Sequence, residues 1–208
     1  MTATAAVPAK RRLSPAERRD LLLELGLELF GEGSYDALST EEIAERAGIS
    51  RGLLFHYFGS KRGYYVAVVR EAADRLLERS QAVGDEVTAA TETLLEGFLG
   101  FVEENAGLFT LLMQSGVGVD GQVKQIVDET RRELARRVAP SLASPSSAPL
   151  EQLALTAWIG AVEAAAVEWA DRQRRGDDAI DRRHLTQILI QMLPTGVSAT
   201  VGKKEDSP

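Results

Sequence analysis

Apolar residues recur three or four positions apart through most of the chain, the spacing that places them on one face of an α-helix. The first such stretch follows Ser14-Pro15-Ala16-Glu17, where a capping serine, a proline at the first helical position and a glutamate at the third predict a helix start. Its predicted inner face carries Leu22, Leu25, Gly26 and Leu29. Gly31 and Gly33 follow and predict its end. No strand-like alternation occurs, so the sequence predicts an all-α fold.

Two short helices are predicted next, within "AERAGISRGLLFHYFGSK" and the residues before it. Ser39-Thr40-Glu41-Glu42 forms a second capping box and begins the first of them. Gly48 is expected to end that helix in the left-handed conformation, and Ser50 to cap the second. Two short helices joined by a tight glycine turn make a helix-turn-helix, the unit that places its second helix in the major groove of DNA.

Longer helical segments are predicted after this unit, at about 61–83, 86–105, 106–115, 122–139, 150–175 and 182–193. Residues 140–149 have the composition of a loop. Residues 1–13 are expected to form a basic flexible arm, and residues 196–208 a disordered tail.

Composition narrows the class of protein. Hydrophobic residues make up 44% and charged residues 26%, ordinary values for a soluble globular protein. The absence of cysteine excludes disulfides and cysteine-ligated metals and is compatible with a reducing cytosol. No signal peptide is recognisable and no segment is expected to approach membrane-span length, so the sequence predicts a cytoplasmic protein without membrane association.

Charge is unevenly distributed along the chain. The net charge of −7 argues by itself against nucleic-acid binding. Basic residues are concentrated near the N-terminus, however, at Lys10, Arg11, Arg12, Arg18 and Arg19. This asymmetry keeps nucleic acid among the candidate partners, although residues 1–12 alone also fit a solvated tail.

The second short helix has two different faces on a helical wheel. Leu54 and Phe58 share the inner face, whereas Gly52, Phe55 and His56 lie on the outer one. With Arg51 at its N-terminal end, the outer face offers donors and an aromatic ring that suit base edges and thymine methyls. The flanking Tyr57 and Lys61 suit phosphates, aided by the N-terminus of the next helix. A helical hairpin that only packs would not need these charges around a glycine turn.

Residues 14–65 resemble the DNA-binding domain of the TetR family of transcriptional regulators. The matching segments are "LELGLELFGEGSYDALSTEEIAERAGIS" and "RGLLFHYFGSK". The predicted DNA-contacting residues are Ser39, Thr40, Ser50, Arg51, Gly52, Leu53, Phe55, His56, Tyr57 and Lys61. Leu53 and Phe55 depart from the family pattern, which commonly has a small hydroxyl residue and a tyrosine at these positions. Both departures remove a hydroxyl that typically reaches a phosphate.

The resemblance also implies an effector-binding and dimerisation domain over residues 61–195, following a DNA-binding domain over residues 14–60. The residues predicted to line an effector cavity are Phe98, Phe101, Phe109, Leu112, Met113, Trp158 and Val162, with Glu163 or Gln114 as a polar group inside it. Such residues at helical spacing also fit an ordinary core, and that alternative stays open. A small, largely apolar effector is expected.

The resemblance further implies a homodimer formed by the Leu150–Arg175 and Arg182–Leu193 helices. The first has small residues that permit close helix approach: Ala154, Ala157, Gly160, Ala161, Ala164 and Ala165. The last has an apolar stripe of Leu185, Ile188, Leu189 and Met192. Two such helices from each subunit would form an isologous four-helix interface. The alternative is that these faces complete the core of the monomer.

The preferred interpretation is a repressor that binds a palindromic operator as a dimer and is released by a small apolar effector. No enzymatic activity, cofactor or metal is expected, because no nucleophile–base pair, phosphate loop or metal-ligand set is recognisable. The two histidines, His56 and His184, are distant in sequence. Two alternatives stay open: a helical enzyme with an unrecognised carboxylate site, and a DNA-binding protein without an effector.

Overall fold

The computed structural model describes residues 13–32, 35–82, 87–114, 120–138, 149–177 and 180–193. Within these ranges the regular elements are all helices, which confirms the predicted all-α fold. Their order is α1 (Pro15–Glu32), α2 (Thr40–Arg46), α3 (Arg51–Phe58), α4 (Lys61–Arg79), α5 (Val87–Glu104), α6 (Ala106–Gln114), α7 (Gly121–Val138), α8 (Pro149–Arg175) and α9 (Arg182–Gln191). The predicted arm before Leu13 and the predicted tail lie outside the described residues.

The start of α1 has the predicted capping box. The Glu17 amide donates to Ser14 Oγ at 3.2 Å, and the Ser14 amide donates to the Glu17 carboxylate at 2.8 Å. The helix buries one face, which includes the predicted Leu22, Gly26 and Leu29, and it ends at Glu32 beside Gly31. The start and the inner face of α1 therefore follow the local sequence rules.

Helix α4 lies at the centre of the molecule and contacts α1, α3, α5 and α7. Its inner face includes Tyr64, Tyr65, Val68 and Val69, each at most 1% exposed. The Tyr64 hydroxyl donates to the Leu22 carbonyl at 2.6 Å, which fixes α4 to α1. Burial raises the pKa of Tyr64 far above its ordinary value, so this hydroxyl remains a donor.

Helix α4 ends at Arg79, four residues before the predicted end at residue 83. The guanidinium of Arg137, on α7, donates to the carbonyls of Leu77 and Ser80 and so satisfies the end of the helix. Helix α5 also crosses there at Gly97, where an added Cβ would lie 2.2 Å from the Arg79 carbonyl oxygen. This contact with another helix is long-range, so the sequence pattern of α4 could not predict it.

Helix α9 ends at Gln191, two residues before the predicted end at Leu193. The Leu193 amide donates to the Ile190 carbonyl at 2.9 Å, which tightens the last turn. The residue before a proline is disfavoured in helical conformation, and Leu193 precedes Pro194. The predicted boundaries at residues 86, 115 and 139 lie outside the described residues.

Helix α8 is long and apolar enough, by length and composition, to cross a membrane, which corrects the expectation that no segment approaches that length. One face of α8 is nevertheless buried against other helices. The indole of Trp158 donates to the Leu189 carbonyl and that of Trp169 to the Ile180 carbonyl, each at 2.8 Å. These bonds join α8 to α9 and the segment before it, as expected for a core helix of a globular protein.

Candidate functional site

Helices α2 and α3 form the predicted helix-turn-helix. Ser39 Oγ accepts from the Glu42 amide at 3.1 Å and Ser50 Oγ from the Leu53 amide at 3.2 Å, so both serines cap helices as predicted. Gly48 lies between them with φ of +63°, in the left-handed region that glycine adopts without strain. The Ile49 amide then donates back to the Ala44 carbonyl at 3.0 Å, which closes the turn.

Leu54 lies on the inner face of α3 and Gly52 and His56 lie on the outer one, as the helical wheel predicts, whereas Phe55 is half-buried. Leu54 is 2% exposed, and the half-buried Phe58 packs edge-on against Tyr64 with ring centroids 4.9 Å apart. Gly52 and His56 are exposed on the opposite side, where an added Cβ on Gly52 would meet only Ser50 Oγ, at 3.9 Å. The outer face of α3 is therefore open to a partner.

Arg51 has a partner that the sequence did not reveal. Its Nη1 lies 2.5 Å from a carboxylate oxygen of Glu41, and both side chains are mostly exposed. Its guanidinium also lies over the ring of the half-buried Phe55, 5.3 Å from the centroid. A bidentate contact of Arg51 with a base edge would compete with the carboxylate of Glu41 for this guanidinium.

The remaining candidate residues lie around the same surface. Lys61, the first residue of α4, has its Nζ 4.4 Å from the centroid of Tyr35 and 3.5 Å from the Asp36 carbonyl oxygen. Thr40 Oγ1 donates to the Glu41 carboxylate at 2.9 Å. Leu53 and Tyr57 are half-buried on the flanks of α3. All ten predicted DNA-contacting residues thus lie on α2, α3, their caps and the start of α4.

A cavity of about 60 Å³ lies among helices α4 to α8. Its lining includes six of the eight residues predicted for an effector site: Phe98, Phe101, Phe109, Leu112, Met113 and Glu163. The sequence missed the residues that α4 and α7 contribute, among them Ala73, Ile126 and Arg131. Ala73 and Ile126 lie on apolar faces, which mark burial but do not show which helices meet across a cavity.

Trp158 and Val162 are absent from the lining of this cavity, and their role in effector binding stays a prediction. Each is 5% exposed and belongs to the core. Trp158 instead uses its indole to bind the Leu189 carbonyl of α9. The side chain of Gln114, the other polar candidate, lies outside the described residues.

Glu163 is paired at the edge of the cavity with Arg131 of α7. Arg131 Nε lies 2.6 Å from Oε1 of Glu163 and Nη2 lies 2.9 Å from Oε2, a bidentate arrangement. These hydrogen bonds raise the pKa of Arg131 above its ordinary value, so the guanidinium stays charged. No local sequence pattern predicts the Arg131–Glu163 pair, because the two residues lie on different helices, 32 positions apart in sequence.

Among the contacts of the cavity region, one reaches the head, defined as helices α1 to α3, and another reaches the start of α4, which directly follows α3. The first is between Gly31 of α1 and Gly107 of α6, where a Cβ built on Gly107 would lie 1.8 Å from the Gly31 carbonyl oxygen. The second joins Arg62, in the first turn of α4, to Asp120 before α7, with N–O distances of 2.5 and 2.9 Å. The Arg62 guanidinium lowers the pKa of Asp120 below its usual range.

Helices α8 and α9 leave an apolar surface exposed, here called the α8–α9 face. Its large members, Leu150, Leu153, Ile188 and Met192, are each more than half exposed. Ala157, Gly160 and Ala164 are also exposed and continue the line of Leu153 along α8. Leu185 and Leu189 instead complete the core of the monomer, as one interpretation of the α9 stripe predicted.

Models of known families match both parts of the chain. Residues 22–68 match "Bacterial regulatory proteins, tetR family", and residues 87–196 match "Tetracyclin repressor-like, C-terminal domain". The chain belongs to the TetR family of transcriptional regulators. The resemblance noted in residues 14–65 is thereby confirmed, and the protein is a DNA-binding transcriptional regulator.

Two individual TetR-family relatives match 90% and 43% of the chain. The transcriptional activator FasR of Mycolicibacterium smegmatis is 27% identical over 190 residues, which cover 90% of this chain and 86% of FasR. The transcriptional repressor KstR2 of the same organism is 37% identical over 89 residues, 43% of each protein. Activators and repressors therefore both occur among the relatives.

Solved TetR-family structures share the fold. A regulator from Streptomyces coelicolor superposes with a TM-score of 0.78 at 28% identity, covering 91% of this chain and 84% of its own. FadR from Bacillus subtilis, solved in complex with stearoyl-CoA, superposes with a TM-score of 0.66 at 15% identity. The superposition covers 85% of this chain and 97% of the FadR chain. At that identity the second comparison concerns the fold alone.

Proposed function

We propose that this TetR-family regulator is a homodimeric repressor that binds a palindromic operator and is released by a small, largely apolar effector. The observation that carries the proposal is the position of α6. The residues Phe109, Leu112 and Met113 on α6 line the cavity, and Gly107 on the same helix touches α1 of the head. One helix thus belongs to both the cavity wall and the support of the DNA-reading surface.

DNA recognition follows from the outer face of α3. Arg51 and His56 present donors to base edges, and the exposed Gly52 lets the backbone approach the groove closely. Lys61 and Tyr57 lie at the flanks, where phosphates pass a reading helix. Ser39 and Ser50 lie on the same side and can donate hydroxyl hydrogens to phosphates while their oxygens accept from backbone amides. Thr40 can do so once its hydroxyl leaves the Glu41 carboxylate.

The α8–α9 face is suited to form the dimer interface. Exposed large apolar side chains in one patch mark an interaction surface in a soluble protein. Ala157, Gly160 and Ala164 would let two copies of α8 approach closely around a two-fold axis. A two-fold dimer presents two copies of α3 to successive major grooves, which predicts a palindromic site with half-sites one or more helical turns apart.

Effector action follows from the size of the cavity. Ligand sites typically enclose about 300–1,000 Å³. The 60 Å³ cavity is far smaller, so an effector must displace its walls in order to enter. Because Gly107 and Gly31 touch, an outward shift of α6 changes the position of α1. An effector that binds the opened state better by about 1.4 kcal/mol would weaken DNA binding tenfold.

The test begins with selection of binding sites from random duplexes, followed by mobility shift with and without candidate effectors. The proposal expects a palindromic site, a dimer in sedimentation, and release by an apolar compound. A monomer at micromolar concentration, equal affinity for random duplex at physiological salt, or no effector response would overturn it. A promoter reporter then decides the regulatory sign, since repression requires higher expression in a strain without the protein.

A single substitution tests the proposed interface. An added Cβ on Gly160 meets no atom within 4 Å and the position is exposed, so we expect Gly160→Arg to leave the monomer fold intact. It places two like charges near the two-fold axis, and we expect a monomer that has lost most of its operator affinity. Gln122→Arg, an exposed change on α7, is the matched control and should remain dimeric.

The proposed function includes no catalytic step and no cofactor. We expect the protein in the cytoplasm, where its DNA target would lie. A helical enzyme would instead turn over a substrate without any effect of DNA. A DNA-binding protein without an effector would show no ligand-dependent release.

A further inference from the structure

The effector cavity is apolar except at one corner. The charged residues in its described lining are Arg131 and Glu163. The hydroxyl of Thr130, another polar neighbour, donates to the Ile126 carbonyl at 2.8 Å within its own helix. A ligand in the cavity therefore meets hydrocarbon on most sides and the Arg131–Glu163 pair on one.

The N–H groups of Arg131 differ in the strength of their hydrogen bonds. Nε and one hydrogen of Nη2 bind the Glu163 carboxylate at 2.6 and 2.9 Å. Nη2 also lies 3.7 Å from the sulfur of Met113, which is a weak acceptor. Met113 lines the cavity and is an adaptable side chain, so a ligand oxygen can displace its sulfur from Nη2. That exchange replaces a weak contact with a charge-assisted hydrogen bond.

The charges around Arg131 and Glu163 determine whether a charged or a neutral ligand oxygen can bind there. Glu163 already neutralises Arg131, and Asp128 lies 3.4 Å from Arg131 Nη1. The Glu163 side chain is 19% exposed, so its charge is poorly screened by water. A ligand carboxylate near Nη2 would lie beside this second carboxylate, and like charges at such a distance disfavour each other. A neutral carbonyl oxygen accepts the same hydrogen bond without that repulsion.

We propose that the effector is a mostly apolar, electrically neutral molecule with one carbonyl oxygen that accepts from Arg131 Nη2. Fatty esters, thioesters and ketones belong to this chemical class. Glu163 is then a specificity-determining residue, because its charge rejects the free carboxylic acid of the same chain. The inference rests on the proposed effector function and adds the polarity and charge of the ligand to it.

Three probes of matched length test the proposal: methyl octanoate, octanoate and octane, each titrated into the full-length protein by calorimetry at neutral pH. We expect methyl octanoate to bind at least about tenfold more tightly than either of the others, a difference of about 1.4 kcal/mol. Any apolar cavity disfavours a charged ligand, so this result alone does not identify Glu163 as the cause.

Glu163→Gln supplies the decisive comparison. The glutamine keeps the shape but leaves Arg131 only its longer contact with Asp128, at 3.4 Å, to offset its charge. Octanoate should therefore gain about tenfold and match or exceed the ester. Glu168→Gln removes a carboxylate from the same helix, where it pairs with Arg172 at 2.8 Å on the exposed side. This control should retain the wild-type order of the three probes.

Met113→Leu provides a second variant of nearly conserved volume. It removes the sulfur that competes for Nη2, so the ester should bind more tightly while octane is unaffected. This measurement keeps the proposal falsifiable if Glu163→Gln fails to fold, which circular dichroism and a thermal melt would show.

Each remaining outcome has a defined meaning. Octanoate that binds the wild type as tightly as the ester, or an unchanged order in Glu163→Gln, overturns the inference. Octane that binds as well as the ester and releases DNA overturns the inference and keeps the proposed function. Absence of binding by all three probes counts against both.

Discussion

The backbones of Gly31 in α1 and Gly107 in α6 lie so close that a Cβ on Gly107 would fall 1.8 Å from the Gly31 carbonyl oxygen. The reverse substitution is much easier, because a Cβ on Gly31 would meet the Leu108 amide nitrogen at an ordinary 3.5 Å. The contact is therefore asymmetric, and the two glycines form a matched pair for experiment.

Gly107→Ala should separate α6 from α1. We expect a loss of about 1–3 kcal/mol in the free energy of unfolding, as for other overpacked sites. We also expect changed operator affinity, because α1 is part of the head that carries α3. Urea unfolding and mobility shift measure the two effects. Gly31→Ala is the control and should change neither substantially, so equal effects of both substitutions would refute this account of the contact.

Base contacts and phosphate contacts should respond differently to mutation. Arg51→Ala and His56→Ala should each cost about 1–3 kcal/mol on the preferred site and relax sequence preference. Lys61→Ala should weaken binding to all duplexes alike and reduce the dependence on salt, because phosphates carry no base identity. Mobility shifts on specific and random duplexes over a salt series distinguish these roles. A changed sequence preference in Lys61→Ala would show that its assignment is wrong.

Filling the cavity should abolish the effector response. Because Val162 lies outside the lining, the informative site is Ala73 on α4, which is 8% exposed and faces the cavity. Ala73→Val adds two methyl groups to a space of about 60 Å³. We expect loss of effector binding by calorimetry with operator affinity retained. Ala89→Val, at an exposed position of α5, should respond as the wild type does. An effector response that survives in Ala73→Val would place the ligand elsewhere.

The Arg62–Asp120 pair should contribute to stability in a pH-dependent way. Arg62 lowers the folded-state pKa of Asp120 below the unfolded value of about 3.9. The contribution is therefore full above that value and is lost as the pH falls through the folded-state pKa. Asp120→Asn should be less stable than the wild type in urea unfolding at pH 7. The gap should narrow as the pH is lowered toward 3, and a constant gap would exclude this cause.

Local rules were sufficient for the head. A capping residue and the glycine that ends a helix act within a few positions of each other, so the sequence specifies Ser14, Ser39, Gly48 and Ser50 directly. The inward position of Leu54 and the outward position of His56 follow from the helical period alone.

The cavity depends on contacts between helices, which local rules do not specify. Periodicity shows that Trp158 is buried but not that its indole binds α9. Nor does it reveal that Arg131 and Glu163 meet, because neither is apolar and their spacing belongs to no motif. The end of α4 was missed for the same reason, since Arg137 of α7 satisfies its last carbonyls.

The ion pair between Arg51 and Glu41 has a consequence for how the protein searches a genome. Off its target, Arg51 already has an anionic acceptor on its own subunit, and a single phosphate offers it little improvement. A guanine at the correct position offers a bidentate acceptor, so Arg51 binds the guanine more strongly than it binds Glu41. We therefore expect Glu41 to act as a built-in competitor. Glu41 would shorten the residence time of the regulator on non-operator DNA. Neutralising Glu41 should lengthen that residence time more than it increases the affinity for the operator.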